Sequence, residues 1–195
     1  MFRHITVMKE EAVEGLNVRS DGIYVDCTLG GAGHSEAIAQ KLGPKGLLIA
    51  LDQDERALDA ARERLAPYLD RVKLVKGNFR NLEEILRSLS VPCHGGIPKV
   101  NGVLFDLGVS SPQLDEGERG FSYNQDAELD MRMDRDGPLT ARTIVNEWSE
   151  EEIANILFTY GEERFARQIA HRIVQERKKR PIRTTLQLAN LIKEA

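Results

Sequence analysis

Along the first hundred residues, short continuous apolar runs alternate with stretches in which apolar residues return every third or fourth position. After an Asp21-Gly22 turn, Ile23 to Leu29 is β-branched and apolar, and Gly30-Gly31-Ala32-Gly33 breaks it, which predicts a buried strand. A short helix is expected from about Ser35 to Leu42, stopped by Gly43-Pro44. Leu47 to Leu51 is apolar throughout, as a parallel strand covered on both faces should be, and Asp52 ends it. Leu58, Ala61 and Leu65 share a helix face as far as Pro67, and Val72 to Val75 supplies a third strand ending at Gly77-Asn78-Phe79. Leu82, Ile85, Leu86 and Leu89 mark another amphipathic helix. A Pro and Gly loop from Pro92 to Pro98 leads to a fourth strand, Val100 to Leu107.

This rhythm calls for right-handed crossovers, so the expected fold class is α/β, an open parallel sheet with helices on both faces. Ligands of such sheets bind at the carboxyl ends of the strands. Past Gly108 the rhythm stops, and residues 113 to 137 are charged and poorly periodic. Ser149-Glu150-Glu151-Glu152 is a capping box opening a helix that Gly161 closes. A second helix is expected from about Glu162 to Arg180, ending before Pro181, and a third from near Thr185. The predicted division is a sheet domain over residues 1–115 and a helical domain over 116–195.

Composition narrows the class. The chain has 195 residues, 41% of them hydrophobic and 30% charged, enough for one large domain or two small ones with a core that needs no disulfides. No apolar run approaches the roughly 20 residues of a membrane span, and the N-terminus has no signal-peptide core. Cys27 and Cys93 lack CxxC spacing, which argues against structural zinc and a secreted disulfide scaffold and makes a cytoplasmic setting the simplest expectation; no metal site is expected. The net charge of −4 hides eight bases against the single acid Glu176 between Arg164 and Arg183. Such a run, densest at Arg177, Lys178, Lys179 and Arg180, is either a solvated helix face or a grip on a polyanion.

The strand ends carry the candidate chemistry. The turn after the first strand lets a ligand approach the backbone and aims helix amides at it. The dinucleotide fingerprint, started at Gly31, requires Gly or Ala at position 36, where this chain has Glu36; a glutamate there is expected to repel a pyrophosphate. Asp52, 22 residues after Gly30, can accept both hydroxyls of a ribose or cap the following helix. Together these suggest an adenosine-containing ligand without phosphates. Phe79 either lies on an adenine face or fills the core.

Several longer motifs then agree. Asp26-x-Thr28-x-Gly30-x-x-Gly33-His34-Ser35, Asp106-Leu-Gly-Val-Ser-Ser-Pro-Gln113, Glu118-Arg-Gly-Phe-Ser122, Leu129-Asp-Met-Arg-Met-Asp134 and Tyr160-Gly-Glu-Glu-Arg-Phe-Ala166 resemble the bacterial small-subunit ribosomal RNA methyltransferase H family (RsmH, also called MraW). The resemblance implies a Rossmann-like core, S-adenosylmethionine as cofactor, and methyl transfer to the N4 amine of a cytidine in small-subunit ribosomal RNA, assembled or assembling. It further implies that Ala32, Gly33 and His34 line the cofactor, Asp52 holds its ribose, Phe79 meets the adenine, and Asp106 and Gln113 complete the pocket. His34 could equally cap its own helix.

An exocyclic cytosine amine is a poor nucleophile, so acceptors must take its hydrogens as the nitrogen pyramidalises; Asp106, Ser110 and Ser111 are the candidates. The usual aromatic after the proline is replaced by Gln113, which leaves Phe121 or Tyr123 to stack on a flipped base unless Phe121 only anchors its loop. Family members continue past the helical domain to add further strands, so the fourth strand is expected to be an open edge and the chain a fragment. A nicotinamide oxidoreductase shares the glycine turn and acid; a non-catalytic RNA-binding module would keep the basic helix and need neither.

Overall fold

The computed structural model describes residues 6–195. The N-terminal residues 1–5, part of the stretch read above for a signal peptide, lie outside the described residues. The chain divides into two compact units, Met1–Gly108 and Val109–Ala195, seven residues earlier than the expected boundary at 115.

In the first unit a short helix α1 (Lys9–Gly15) precedes β1 (Ile23–Asp26), α2 (Gly33–Lys41), β2 (Leu47–Asp52), α3 (Glu55–Arg64), β3 (Val72–Lys76) and α4 (Leu82–Ser88). A two-stranded hairpin, β4 (Cys93–His94) and β5 (Ile97–Pro98), leads to β6 (Gly102–Leu104). The main sheet is parallel in the order β3-β2-β1-β6, with Asp26 opposite Ala50 on one side and Leu104 on the other. This is the Rossmann-like arrangement expected, and among the described residues β6 lies at one edge of the sheet.

Burial explains the order. β1 and β2 are central and almost wholly buried, and residues on alternate faces feed two cores. Tyr24, Leu48 and Ala50 pack with Ile38, Ala39, Leu58 and Leu65 of α2, α3 and the turn that follows α3. Val25, Ile49 and Leu51 pack with Leu86 and Val91 on the other face. Two covered faces are what make strand sequences continuously apolar.

The strands stop where polar side chains capture the backbone. β1 ends at Asp26 rather than Leu29 because the Asp26 carboxylate takes the Thr28 N–H, forming a turn. β6 spans Gly102–Leu104, shorter than the expected Val100 to Leu107. The hairpin, α1 and the helix α6 described next have no counterpart in the sequence reading.

The second unit comprises α5 (Ser111–Asp115), a long loop, α6 (Ala141–Glu147), α7 (Glu150–Gly161), α8 (Ala166–Arg177) and α9 (Thr185–Lys193). Its core joins Leu129 of the loop with Val145, Ile153, Ile169, Ile173 and Leu191. The predicted capping box at Ser149 and Glu152 is present, with Ser149 N–H donating to Glu152 Oε2 at 2.8 Å. α8 starts later than expected because Glu162 is left-handed, with φ 50°, and the Glu163 carboxylate takes the Phe165 N–H. Among the described residues no helix is long and apolar enough to cross a membrane.

Candidate active site

The turn after β1 is built around a buried acid. Asp26 is fully buried, and its carboxylate accepts from the Ser35 hydroxyl at 2.7 Å and the Thr28 N–H at 3.1 Å. Burial pushes this carboxyl above the usual carboxylate range, against the pull of the Ser35 and Thr28 bonds. The Asp-x-Thr and His-Ser ends of the motif are thereby tied into one unit. Between them Gly30 has φ 48° and Ala32 φ 60°, so the chain enters α2 from left-handed backbone that costs Ala32 strain and Gly30 little. A Cβ on Gly33 would collide with the Thr6 side chain, which lies against the helix start.

Asp52 joins the tips of β1 and β2. Its Oδ2 accepts from Gly30 N–H and its Oδ1 from Asp54 N–H, both at 2.9 Å. Burial raises its pKa also, opposed by those amide bonds. Asp52 therefore braces the glycine turn, and its two oxygens together keep acceptor capacity beyond the amides of Gly30, Asp54 and Gln53. It is not the helix cap that one reading allowed: Asp54 caps α3, accepting from Arg56 N–H at 3.1 Å.

Two expectations change here. Glu36 does not stand as a bare charge over the turn, because Arg64 donates to its Oε2 through Nε at 2.8 Å and Nη2 at 2.7 Å, and through Nη1 to the Gly31 carbonyl at 2.9 Å. The charge objection to a phosphate is thus weakened by a residue 28 positions away. His34, in turn, bonds neither its helix end nor open space: its Nε2 lies 3.0 Å from the Val7 carbonyl, and since a carbonyl only accepts, Nε2 carries the hydrogen. It fastens the segment before α1 to the first turn of α2.

Beyond β3, Asn78 donates to Gln53 Oε1 at 2.8 Å and accepts from Arg80 N–H at 2.9 Å, which fixes the turn that carries Phe79. Phe79 is 36% exposed, so it is not a core residue; its ring meets Phe105 edge to face, centroids 5.4 Å apart. Because β3 and β6 are opposite edges of the sheet, this aromatic pair spans the tips of the two central strands. Asp106, exposed, donates its N–H to Thr28 Oγ1 at 2.7 Å. Ala32, Gly33, Asp52, Phe79 and Asp106 therefore all belong to the carboxyl end of one sheet.

The remaining candidates lie in the second unit. Ser110 and Gln113 form a capping box on α5, with Gln113 Oε1 accepting from Ser110 N–H at 2.9 Å; Gln113 is buried and Ser111 exposed. That bond uses one lone pair of the Gln113 oxygen and leaves its amide NH₂ as donor. The two loop motifs, 118–122 and 129–134, fold onto each other. Arg119 is buried and donates to the carbonyls of Arg132 and Met133 at 3.0 and 3.2 Å, its guanidinium over the Phe121 ring. Arg132 clasps Asp130 through Nε and Nη2 and donates Nη1 to the carbonyls of Arg135 and Gly137. This holds the Asp130 carboxyl below its ordinary range. Gly120, with φ 71°, is required there, since a Cβ would press on the Glu128 carbonyl and the Asp130 amide. Phe121, Tyr123, Met131 and Ile192 line an apolar cavity of about 340 Å³, and Tyr123 is 65% exposed.

The basic run is less available than its composition implies. Arg177 donates to the Val145 carbonyl at 3.0 Å, holding α6, while Lys179 and Arg180 both reach Glu176. Lys179 and then Arg180 hold the Glu176 carboxyl below its usual range. Cys27 is unsuited as a nucleophile, because burial pushes its thiol up to about 12. No cluster of metal-ligating residues occurs among the described residues. The residues that sequence reasoning did not assign a role are Asp26, Thr28, Ser35 and Arg64; the Asp-x-Thr spacing was a visible turn signal, whereas nothing local marked Arg64.

A parallel sheet whose first turn is glycine-rich and whose second strand ends in an acid bonded to that turn defines a Rossmann-like α/β protein. The chain matches the MraW methylase family over residues 1–195. It is 65% identical over 193 residues to ribosomal RNA small subunit methyltransferase H of Brevibacillus brevis, covering 99% of this chain and 60% of that protein. The protein of the same name from a Paenibacillus species is 66% identical over 193 residues, covering 99% and 61%. A SAM-dependent methyltransferase of Aquifex aeolicus overlaps 77% of each chain at 17% identity and a TM-score of 0.39. The chain belongs to the MraW methylase family. It spans about 60% of the length of these curated relatives.

Proposed function

We propose that the protein binds S-adenosylmethionine at the carboxyl end of its parallel sheet and methylates the N4 amine of a cytidine in small-subunit ribosomal RNA. The observation that carries this reading is the Asp52 carboxylate bonded to Gly30 N–H across the tips of β1 and β2. That arrangement holds the glycine turn in its left-handed form and presents further acceptor lone pairs to a ribose. Family membership supports the same reaction.

The donor set fits the cofactor: a turn of positive φ, an acid with acceptor capacity and a half-exposed aromatic ring. When bound, S-adenosylmethionine supplies a methyl group activated by its sulfonium. Ala32 and Gly33 give backbone approach, Asp52 accepts from the ribose hydroxyls, and Phe79 presents an apolar ring to the adenine. His34, tied to Val7, acts by keeping the start of α2 in place. Asp106 completes the pocket at the strand tips, and Gln113 is assigned to the cofactor by the family resemblance of its motif alone. Asp106, Ser110 and Ser111 accept hydrogens from the target amine as it attacks, and Phe121 or Tyr123 stacks on the flipped base.

RNA phosphates are assigned to Lys178, Lys179 and Arg180, whose surface pairs with Glu176 are readily exchanged; Arg177 contributes mainly by holding α6. Replacing these three bases by Ala should weaken RNA binding and lower its salt slope, by up to about three. The decisive test is methyl transfer from labelled S-adenosylmethionine to undermethylated small subunits, followed by nucleoside analysis. N4-methylcytidine is the expected product. Binding of NADH with none of S-adenosylhomocysteine would favour an oxidoreductase, and RNA affinity indifferent to every strand-tip substitution, without methyl transfer, a non-catalytic RNA-binding module.

A further inference from the structure

We propose that Thr28 is a positioning residue of this site, setting where Asp106 stands through a hydrogen bond across the tips of β1 and β6. The assignment rests on the cofactor reading above and gives a role to a residue which that reading does not use. β6 pairs with β1 as far as Leu104 opposite Asp26, and the last ladder bond runs from Cys27 N–H to the Leu104 carbonyl at 2.9 Å. In a regular parallel ladder the next bond would carry the Asp106 N–H to a β1 carbonyl. Here the Thr28 hydroxyl accepts it instead, at 2.7 Å.

That hydroxyl is itself anchored. The Thr28 N–H donates to Asp26 Oδ1, and the other oxygen of this buried carboxylate is held by Ser35 of α2. The chain of bonds runs from the start of α2 through Asp26 and Thr28 to the backbone of Asp106. Asp106 lies two residues past Leu104, where the pairing of β6 with β1 ends, so that ladder does not fix it. Its carboxylate direction depends on its own φ and ψ, and the Thr28 bond restrains the amide on one side of that pair. Valine has nearly the same shape as threonine and accepts nothing; serine keeps the acceptor.

The test uses the full chain and calorimetry with S-adenosylhomocysteine. Thr28→Val should weaken binding about tenfold and Thr28→Ser less than about twofold, the difference being the one hydrogen bond that ties Asp106 to the tip of β1. Hydrogen exchange at the Asp106 amide should quicken in Thr28→Val and stay slow in Thr28→Ser. In an Asp106→Ala background, Thr28→Val should add less than about twofold, since a residue that acts through another has no separate effect. Thr28→Ala carries the same expectations and covers the case in which Thr28→Val does not fold. Unchanged affinity in Thr28→Val and Thr28→Ala, or a full tenfold penalty persisting beside Asp106→Ala, overturns the assignment alone. An unaltered chain that fails to bind S-adenosylhomocysteine overturns the cofactor reading and this assignment with it.

Discussion

Asp26 and Asp52 in the first unit face backbone amides and a hydroxyl, and burial lifts both carboxyl groups above their ordinary range. Asp130 in the second unit grips the Arg132 guanidinium on two sides and is held below it. The same side chain is used for opposite ends. Carboxylates met by neutral donors brace the turn at the strand tips, and Asp52, the less buried of the two, retains acceptor capacity beyond it. A carboxylate matched to a fork of N–H groups is committed to shaping its loop.

The difference can be broken most directly at Asp26. Asp26→Ala strips the Ser35 hydroxyl and Thr28 amide of their acceptor in a fully buried place and should cost about 2–4 kcal/mol, read from urea unfolding followed in the first unit. Asp130→Ala should be milder, lowering the melting temperature of the second unit by about 5 °C, because Arg132 keeps its two carbonyl partners. A larger effect at Asp130 than at Asp26 would invert the account.

Acid titration sharpens the comparison, because the two signs differ. The folded-state pKa of Asp26 is raised, so its contribution is fully present below the unfolded value of about 3.9 and is lost as pH rises through the folded value. The folded-state pKa of Asp130 is lowered, so its contribution is present above about 3.9 and is lost as pH falls through the folded value. Stability measured relative to Asp26→Asn should therefore fall as pH rises above about 4, while stability relative to Asp130→Asn should be lost as pH falls below about 4. Slopes of equal sign would contradict the distinction. The smallest effect is expected at the exposed pairs of Glu176: replacing Lys179 and Arg180 by Ala should move the melting temperature by less than about 2 °C.

How much of this could be read from residues alone follows from range. The central strands were legible because two covered faces leave a continuous apolar run, as at Leu47 to Leu51. α1 was not, since Val13 is its one buried residue, and the hairpin offers two residues per strand to any pattern. α6 is seven residues long and is marked mainly by its Thr140 cap. Asp52 and the glycine turn were legible as a pair, yet their direct bond was not, nor was the Arg64 clasp on Glu36 or the His34 tie to Val7. Each of these joins residues 22 to 28 positions apart whose meeting depends on the crossover being folded. The loop motifs at 118–122 and 129–134 were visible as strings, and only the fold reveals that Arg119 and Arg132 use their charge on the protein's own carbonyls.

The central claim is that Asp52 holds both the glycine turn and the sugar of an adenosine ligand. Isothermal calorimetry of S-adenosylhomocysteine against the chain and its Asp52→Ala variant addresses it with a single titration pair. Binding by the unaltered chain, with affinity lower by about a hundredfold in the variant as two or more charge-assisted bonds are lost, is the predicted result. Equal affinity in both proteins would contradict it.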